Sequence, residues 1–245
     1  MTVLVTGATG TLGRPTVAGL RAAGHTVRAL SRRPGPDRVV GDLLTGEGLR
    51  DAVDGVDTVV HLASGPKRDD DATGNLLDAA GAAGVRHVVH MSIVGIDDIP
   101  LGYYRGKVAA ERVVESSVVP WTILRATQFH DLVEKILRAQ RYSPAVLAPA
   151  FALQPIAADE VAGRLVELAA GEPAGRVPDI GGPAVRPVPD LARAWRRATG
   201  SRRPVVPVRL PGRLFGAYAA GHALVAGPAY GRTTFEEHLA RRAGA

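Results

Sequence analysis

The chain has 245 residues, 46% hydrophobic and 22% charged, with 30 basic against 24 acidic side chains for a net charge of +6, and it has no cysteine. This composition excludes disorder over most of the chain, disulfides and thiolate metal sites, and no apolar run reaches the roughly 18 residues of a membrane span. Aromatics are only 4% and the arginines are scattered, so neither a base-stacking platform nor a nucleic-acid partner is expected.

The first half alternates two periodicities. Thr2–Thr6 (TVLVT) is a short apolar run ending in glycine, which predicts a buried strand. Residues 11–23 carry Leu12, Val17 and Leu20 at helical spacing, and Gly24 closes the helix. Strands follow at 26–30, 37–40, 57–62 (DTVVHL), 86–92 (RHVVHMS) and 121–124. Helices are expected at 69–83, where Leu76 and Leu77 form an apolar face, and at 103–117. Strands alternating with helices predict right-handed crossovers and a doubly wound, Rossmann-type α/β fold with a parallel sheet buried on both faces. Beyond residue 125 prolines and glycines become frequent, with helices expected at 129–141, 159–170, 189–199 and 214–227. We read 1–125 as a nucleotide-binding core and 126–245 as a smaller C-terminal lobe packed on it, one compact unit with no flexible linker. Residues 1–20 start a strand directly, with no secretory pattern, so a cytoplasmic protein is expected.

The first strand runs into Gly7-Ala-Thr-Gly10-Thr-Leu-Gly13 and then a helix. A glycine at the first position permits the tight turn, one at the second lets backbone approach a pyrophosphate, and the third lets helix and strand pack closely. The following helix start offers free N–H groups to phosphate. The spacing therefore points to a dinucleotide held by Gly7, Thr9, Gly10, Thr11, Leu12 and Gly13. At the end of the second strand an NAD-binding site places a carboxylate for the ribose 2′-hydroxyl. Here stand Ser31, Arg32 and Arg33 instead. A guanidinium fork suits a 2′-phosphate, so NADP(H) is expected over NAD(H).

Gly7–Gly13, Asp42-Leu43, 61–64 (HLAS), Met91-Ser92, 103–107 (YYRGK) and 120–125 (PWTILR) occur in the order of the atypical short-chain dehydrogenase/reductase superfamily. More narrowly the chain resembles its NmrA-like, NAD(P)H-binding group over about residues 1–170. The resemblance implies a Rossmann-type domain with a small substrate lobe and NADP(H) as ligand. It also implies that Asp42 and Leu43 border the adenine and that Leu62, Ala63 and Ser64 line the cofactor ribose. The group is similar both to reductases of carbonyl compounds and to proteins that only sense nucleotide redox state.

Tyr103 and Lys107 are four apart on an expected helix and so share a face. In short-chain dehydrogenases, the resemblance implies, such a tyrosine moves the proton, the lysine lowers its pKa and holds the ribose, and a serine, here Ser92, polarises the carbonyl. Hydride addition to a carbonyl leaves an alkoxide that needs donors already in place. Ser92 and Tyr103 are closer in sequence than the family's competent members show. Tyr104 is an alternative donor; the resemblance to the phenylpropanoid-reductase branch implies that the lysine of this helix is the important group, and Lys107 matches it by its distance to Pro120. Gln128, Phe129 and His130 are candidates for the substrate pocket. Asp69-Asp70-Asp71 reads as a helix cap, not a metal site, and no metal is expected. The reading is an NADPH-dependent oxidoreductase of a small or medium lipophilic carbonyl or enone. The alternative is a non-catalytic NADP(H) sensor. A small-molecule substrate is the expected partner, and helix faces that often pair in this fold leave a homodimer open.

Overall fold

The computed structural model describes residues 1–65 and 68–243. In chain order its elements are β1 (Thr2–Thr6), α1 (Gly13–Ala22), β2 (Thr26–Ser31), β3 (Arg38–Val40), α2 (Leu49–Val53), β4 (Thr58–His61), α3 (Asp69–Ala82), β5 (His87–Ile93), α4 (Gly102–Glu115) and β6 (Trp121–Ala126). There follow α5 (His130–Ala139), β7 (Val146–Pro149), β8 (Ala152–Leu153), α6 (Ala158–Ala170), β9 (Gly175–Arg176), β10 (Arg186–Pro187), α7 (Val188–Ala198), β11 (Val205–Val208), α8 (Arg213–Ala219) and α9 (Phe235–Ala243).

Seven strands form one sheet in the order β3-β2-β1-β4-β5-β6-β9, with parallel pairing at β1–β2, β1–β4, β2–β3, β4–β5 and β6–β9. The order reverses between β1 and β4, the place where open α/β sheets bind ligands. The expected doubly wound α/β fold is the fold observed.

The sheet is apolar on both faces because β1, β4 and β5 are continuous runs of valine and leucine. Leu4 pairs in register with Val59, and Val59 with Val88. These three lie in one core cluster with Leu49, Val53, Leu76, Ala80 and Ile123, under α2 and α3. Val3, Val5, Val60 and Val89 alternate to the other face and are fully buried. Each such side chain contributes about 1.5–3 kcal/mol when taken from water. On this chain's α1, a Cβ at Gly19 would meet Val166 of α6 at 3.0 Å, so glycine lets the two helices approach.

The chain forms two compact units, and they are not continuous in sequence. The first holds Met1–Ser92, Gly102–Arg125 and Asp159–Pro178; the second holds Ile93–Leu101, Ala126–Ala158 and Asp179–Ala245. The segment from Asp159 belongs to the sheet unit, where β9 pairs with β6 at its edge. Within the second unit β7 pairs with β11 and β8 with β10. The long helix expected at 214–227 is only α8. It ends at Ala219, and Gly221 follows with φ +86°, a conformation that stops a helix. Tyr218 stacks on Phe151 at 4.9 Å between ring centroids.

Candidate functional site

At the end of β1 the chain turns through Gly7, whose φ is +64°. A Cβ there would lie 2.8 Å from Ala63 N, and one at Gly13 would lie 2.1 Å from the Gly7 carbonyl oxygen. Both positions exclude any side chain, so the glycines set the close approach of β1, α1 and the loop after β4. A Cβ at Gly10 would be 3.2 Å from the Gly7 carbonyl oxygen; its bare backbone faces a cleft of about 1130 Å³ lined by Gly7, Thr9, Gly10, Ser31, Arg32, Arg33, Asp42, Leu43, Leu62, Ala63 and Ser64. Every one of these was expected at the cofactor. Thr11, Leu12 and Gly13 are not among its lining residues. Leu12 is buried, and its carbonyl accepts the Thr16 hydroxyl at 2.8 Å; Gly13 serves packing. Arg38 and Arg68 also line the cleft, and the sequence reading missed both. Arg38 could have been found as the first residue of β3, the strand paired with β2.

The loop after β4 is held by a chain of hydrogen bonds. The Thr6 hydroxyl oxygen accepts the Leu62 and Ala63 N–H groups at 3.1 and 3.0 Å. Its own hydrogen therefore goes to His61 Nδ1 at 2.7 Å. That assigns His61 as the Nε2–H tautomer, which donates to Thr73 Oγ1 at 3.1 Å; Thr73 in turn donates to the Asp69 carbonyl at 2.7 Å. Burial pushes His61 down to about 4, with the Lys107 charge adding to it and Asp69 opposing. His90, at a ring distance of 5.2 Å, is pushed well below its ordinary value by burial, then by His61 and Lys107. Both rings are neutral at pH 7. Neither His90 nitrogen has a hydrogen-bond partner among the described residues.

Beside this lies the charged end of the site. Tyr104, Lys107, Glu111 and Val114 form the buried face of α4. Glu111 is paired with buried Arg125 at the end of β6, which pins the helix to the sheet. One turn before Glu111, the Lys107 ammonium lies 3.1 Å from Asp69 Oδ2, with side-chain exposures of 4% and 6%. Asp69 Oδ1 accepts the Gly65 N–H at 2.8 Å, and Oδ2 accepts the Ser64 hydroxyl at 3.2 Å. Ser64 Oγ is in turn 2.5 Å from Tyr103 Oη. Asp69 and Ser64 line the cleft, and Lys107 and Tyr103 stand one hydrogen bond behind them.

Asp69 was read as a helix cap. The N-cap is Arg68, at φ +58°, and Asp69 sits in the first turn with its carboxylate turned to Lys107. Ser92 is fully buried in β5, its Oγ without a partner among the described residues. Gln128, Phe129 and His130 belong to the second unit. His130 is buried there, its Nε2 3.0 Å from the Thr233 carbonyl and its ring 5.7 Å from Phe235, so it does not face solvent. The Gln128 amide is buried with no partner among the described residues. Among the described residues no cluster of His, Asp and Glu could hold a metal, and no helix is long and apolar enough to cross a membrane.

A family model described as NAD(P)H-binding matches residues 7–171. The chain belongs to this NAD(P)H-binding family. The resemblance to its NmrA-like, atypical short-chain dehydrogenase/reductase branch holds. The chain is 37% identical over 137 residues to a (4-alkanoyl-5-oxo-2,5-dihydrofuran-3-yl)methyl phosphate reductase of Streptomyces griseus, covering 52% of this chain and 48% of that protein. It is 42% identical over 115 residues to a 3-diazoavenalumate denitrifying reductase of a Streptomyces species, covering 38% of each. The match thus spans about half, or less, of the length of these relatives. Among solved structures, an NADPH-dependent quinone oxidoreductase from Escherichia coli superposes with a TM-score of 0.79 at 17% identity, over 98% of this chain and 99% of that one. The Citrobacter triphenylmethane reductase complexed with NADP(H) gives 0.78 at 21% identity, over 99% and 100%. At these identities the structures show the fold. The family's cofactor fits the residues present, because the bare backbone at Gly7 and Gly10 opens onto the basic cleft.

Proposed function

We propose that the protein is an NADPH-dependent reductase, or the reverse dehydrogenase, of a small or medium lipophilic carbonyl or enone. The observation that carries this reading is the hydrogen-bonded line Lys107–Asp69–Ser64–Tyr103, whose Asp69 and Ser64 line the cleft at the sheet's switch point. Bound NADPH supplies the hydride. Gly7, Thr9, Gly10 and the start of α1 hold the pyrophosphate, and Leu62, Ala63 and Ser64 line the ribose. Ser31, Arg32 and Arg33 receive the 2′-phosphate, with Arg38 of the neighbouring strand beside them. The residues that end and follow β2 are Ser31, Arg32 and Arg33, with no carboxylate among them, which supports NADP(H) over NAD(H). Tyr103 Oη gives its proton to the substrate oxygen, and Lys107 holds the ribose side. Ser92, with a donor unused, steadies the developing oxyanion, and Tyr104 and Gln128, Phe129 and His130 remain candidates for the substrate side. The second unit is proposed as the substrate lobe.

A nucleotide-binding regulator is the second reading, and the full burial of Ser92 favours it. The test is NADPH-fluorescence titration against NADH, for wild type and Lys107→Ala, with a panel of quinones and aromatic carbonyls followed at the NADPH absorbance. Preference for NADPH with turnover lost in Lys107→Ala is the expected result. Tight binding without turnover across the panel points to the regulator, and absence of nucleotide binding sinks both readings.

A further inference from the structure

We propose that Asp69 is the positioning residue of this site: it keeps the Lys107 ammonium charged and fixed inside the protein and, through Ser64, sets the Tyr103 hydroxyl on the same hydrogen-bonded line. The proposal rests on the reductase reading for the roles it gives Lys107 and Tyr103.

A lone ammonium at 4% exposure is costly, because water is replaced by apolar surroundings. Here one carboxylate takes three donors: Gly65 N–H at 2.8 Å, Lys107 Nζ at 3.1 Å and Ser64 Oγ at 3.2 Å. Of the other titratable neighbours, His61 on β4 and His90 on β5 couple to Lys107 but are neutral above pH 7. On α4 itself, Glu111 is committed to Arg125. Asp69 is thus the counter-charge of Lys107. A buried ion pair gives little net stability over an apolar pair of the same shape, and α3 needs no carboxylate here to begin, since Asp70 and Asp71 also occupy its first turn. What Asp69 adds is placement. Ser64 Oγ, 2.5 Å from Tyr103 Oη, carries that placement from the carboxylate to the tyrosine.

The test uses the full chain as wild type, Asp69→Asn, Asp69→Glu, Lys107→Met and Asp69→Asn/Lys107→Met. The first readout is the melting temperature of the nucleotide-free protein between about pH 7 and 9, where the buried histidines no longer titrate. In Asp69→Asn the unpaired amine is neutral when folded and charged when unfolded. The unfolded state then binds more protons, and stability rises with pH. Asp69→Asn should melt below wild type at pH 7 and recover by about 5–10 °C toward pH 9. The double variant should lack that recovery. The second readout is turnover of a quinone or carbonyl from the panel with NADPH. Asp69→Asn should lose at least about tenfold in kcat, with NADPH binding by fluorescence changed less than about threefold, and Asp69→Glu should regain part of the loss. Melting profiles of Asp69→Asn that parallel wild type overturn the proposal, as does wild-type kcat in Asp69→Asn. Full turnover in Lys107→Met instead overturns the reductase role of Lys107, whatever Asp69→Asn does to the melting profile.

Discussion

The two ends of the cleft handle charge in opposite ways. At one end Arg32, Arg33 and Arg38 stand exposed beside β2 and β3. At the other, Lys107 and Asp69 face each other almost out of water. Exposed cations attract an anion cheaply, over a range set by salt, and tolerate small errors of placement. A buried pair is directional and tolerates almost none, because losing one partner strands the other. The first arrangement suits capture of a phosphate; the second suits holding a reacting group in one position.

Four experiments sharpen this contrast. The largest effect is expected at the buried end, where Lys107→Ala should lower kcat by about 100-fold or more while NADPH still binds; steady-state kinetics beside fluorescence titration checks it. Gly13→Ala comes next. Its Cβ would overlap the Gly7 carbonyl oxygen at 2.1 Å, so the turn must rebuild, and NADPH affinity should fall by about 30-fold with a lower melting temperature. Retained affinity would show that the glycine turn does not carry the cofactor.

The buried histidines give the third experiment. His61 is lowered from 6.5 to about 4, so its stabilising contribution is complete above pH 6.5 and is lost as pH falls toward about 4, on the order of 3 kcal/mol. Thermal melts from pH 7.5 to 4.5 should show that loss, and His90→Phe, which removes the second buried imidazole, should blunt it. The smallest effect belongs to the open end. Arg32→Ala should weaken NADPH by about tenfold, leave NADH unchanged, and matter less at high salt. Equal losses for both nucleotides would remove Arg32 from the 2′-phosphate.

The fold of the sheet unit was legible because its signals are local. Val-rich runs bounded by glycines gave β1, β2, β4, β5 and β6 nearly to their ends, and helical spacing gave α1, α3 and α4. In the second unit the helices expected at 129–141 and 189–199 are α5 and α7, but its strands were not legible, because they are two to four residues long and pair across distance, Leu153 with Arg186 and Val146 with Val205. No periodicity survives in so short a strand. The site divides the same way. Gly7 and Gly10 announce themselves by spacing and the loop after β4 by the family resemblance, whereas Asp69 looked like the ordinary charged start of a helix.

By itself the sequence determined the nucleotide end. A strand, a glycine turn and a helix are consecutive, and the residues that follow β2 are read off directly. Only the tertiary structure decided the reacting end. Asp69 and Lys107 belong to α3 and α4, separate helices that pack on each other, and Ser64 reaches Tyr103 across 39 residues. Which side chain neutralises a buried cation depends on how two helices dock, and docking is a sum of many weak apolar contacts that no single residue spells out.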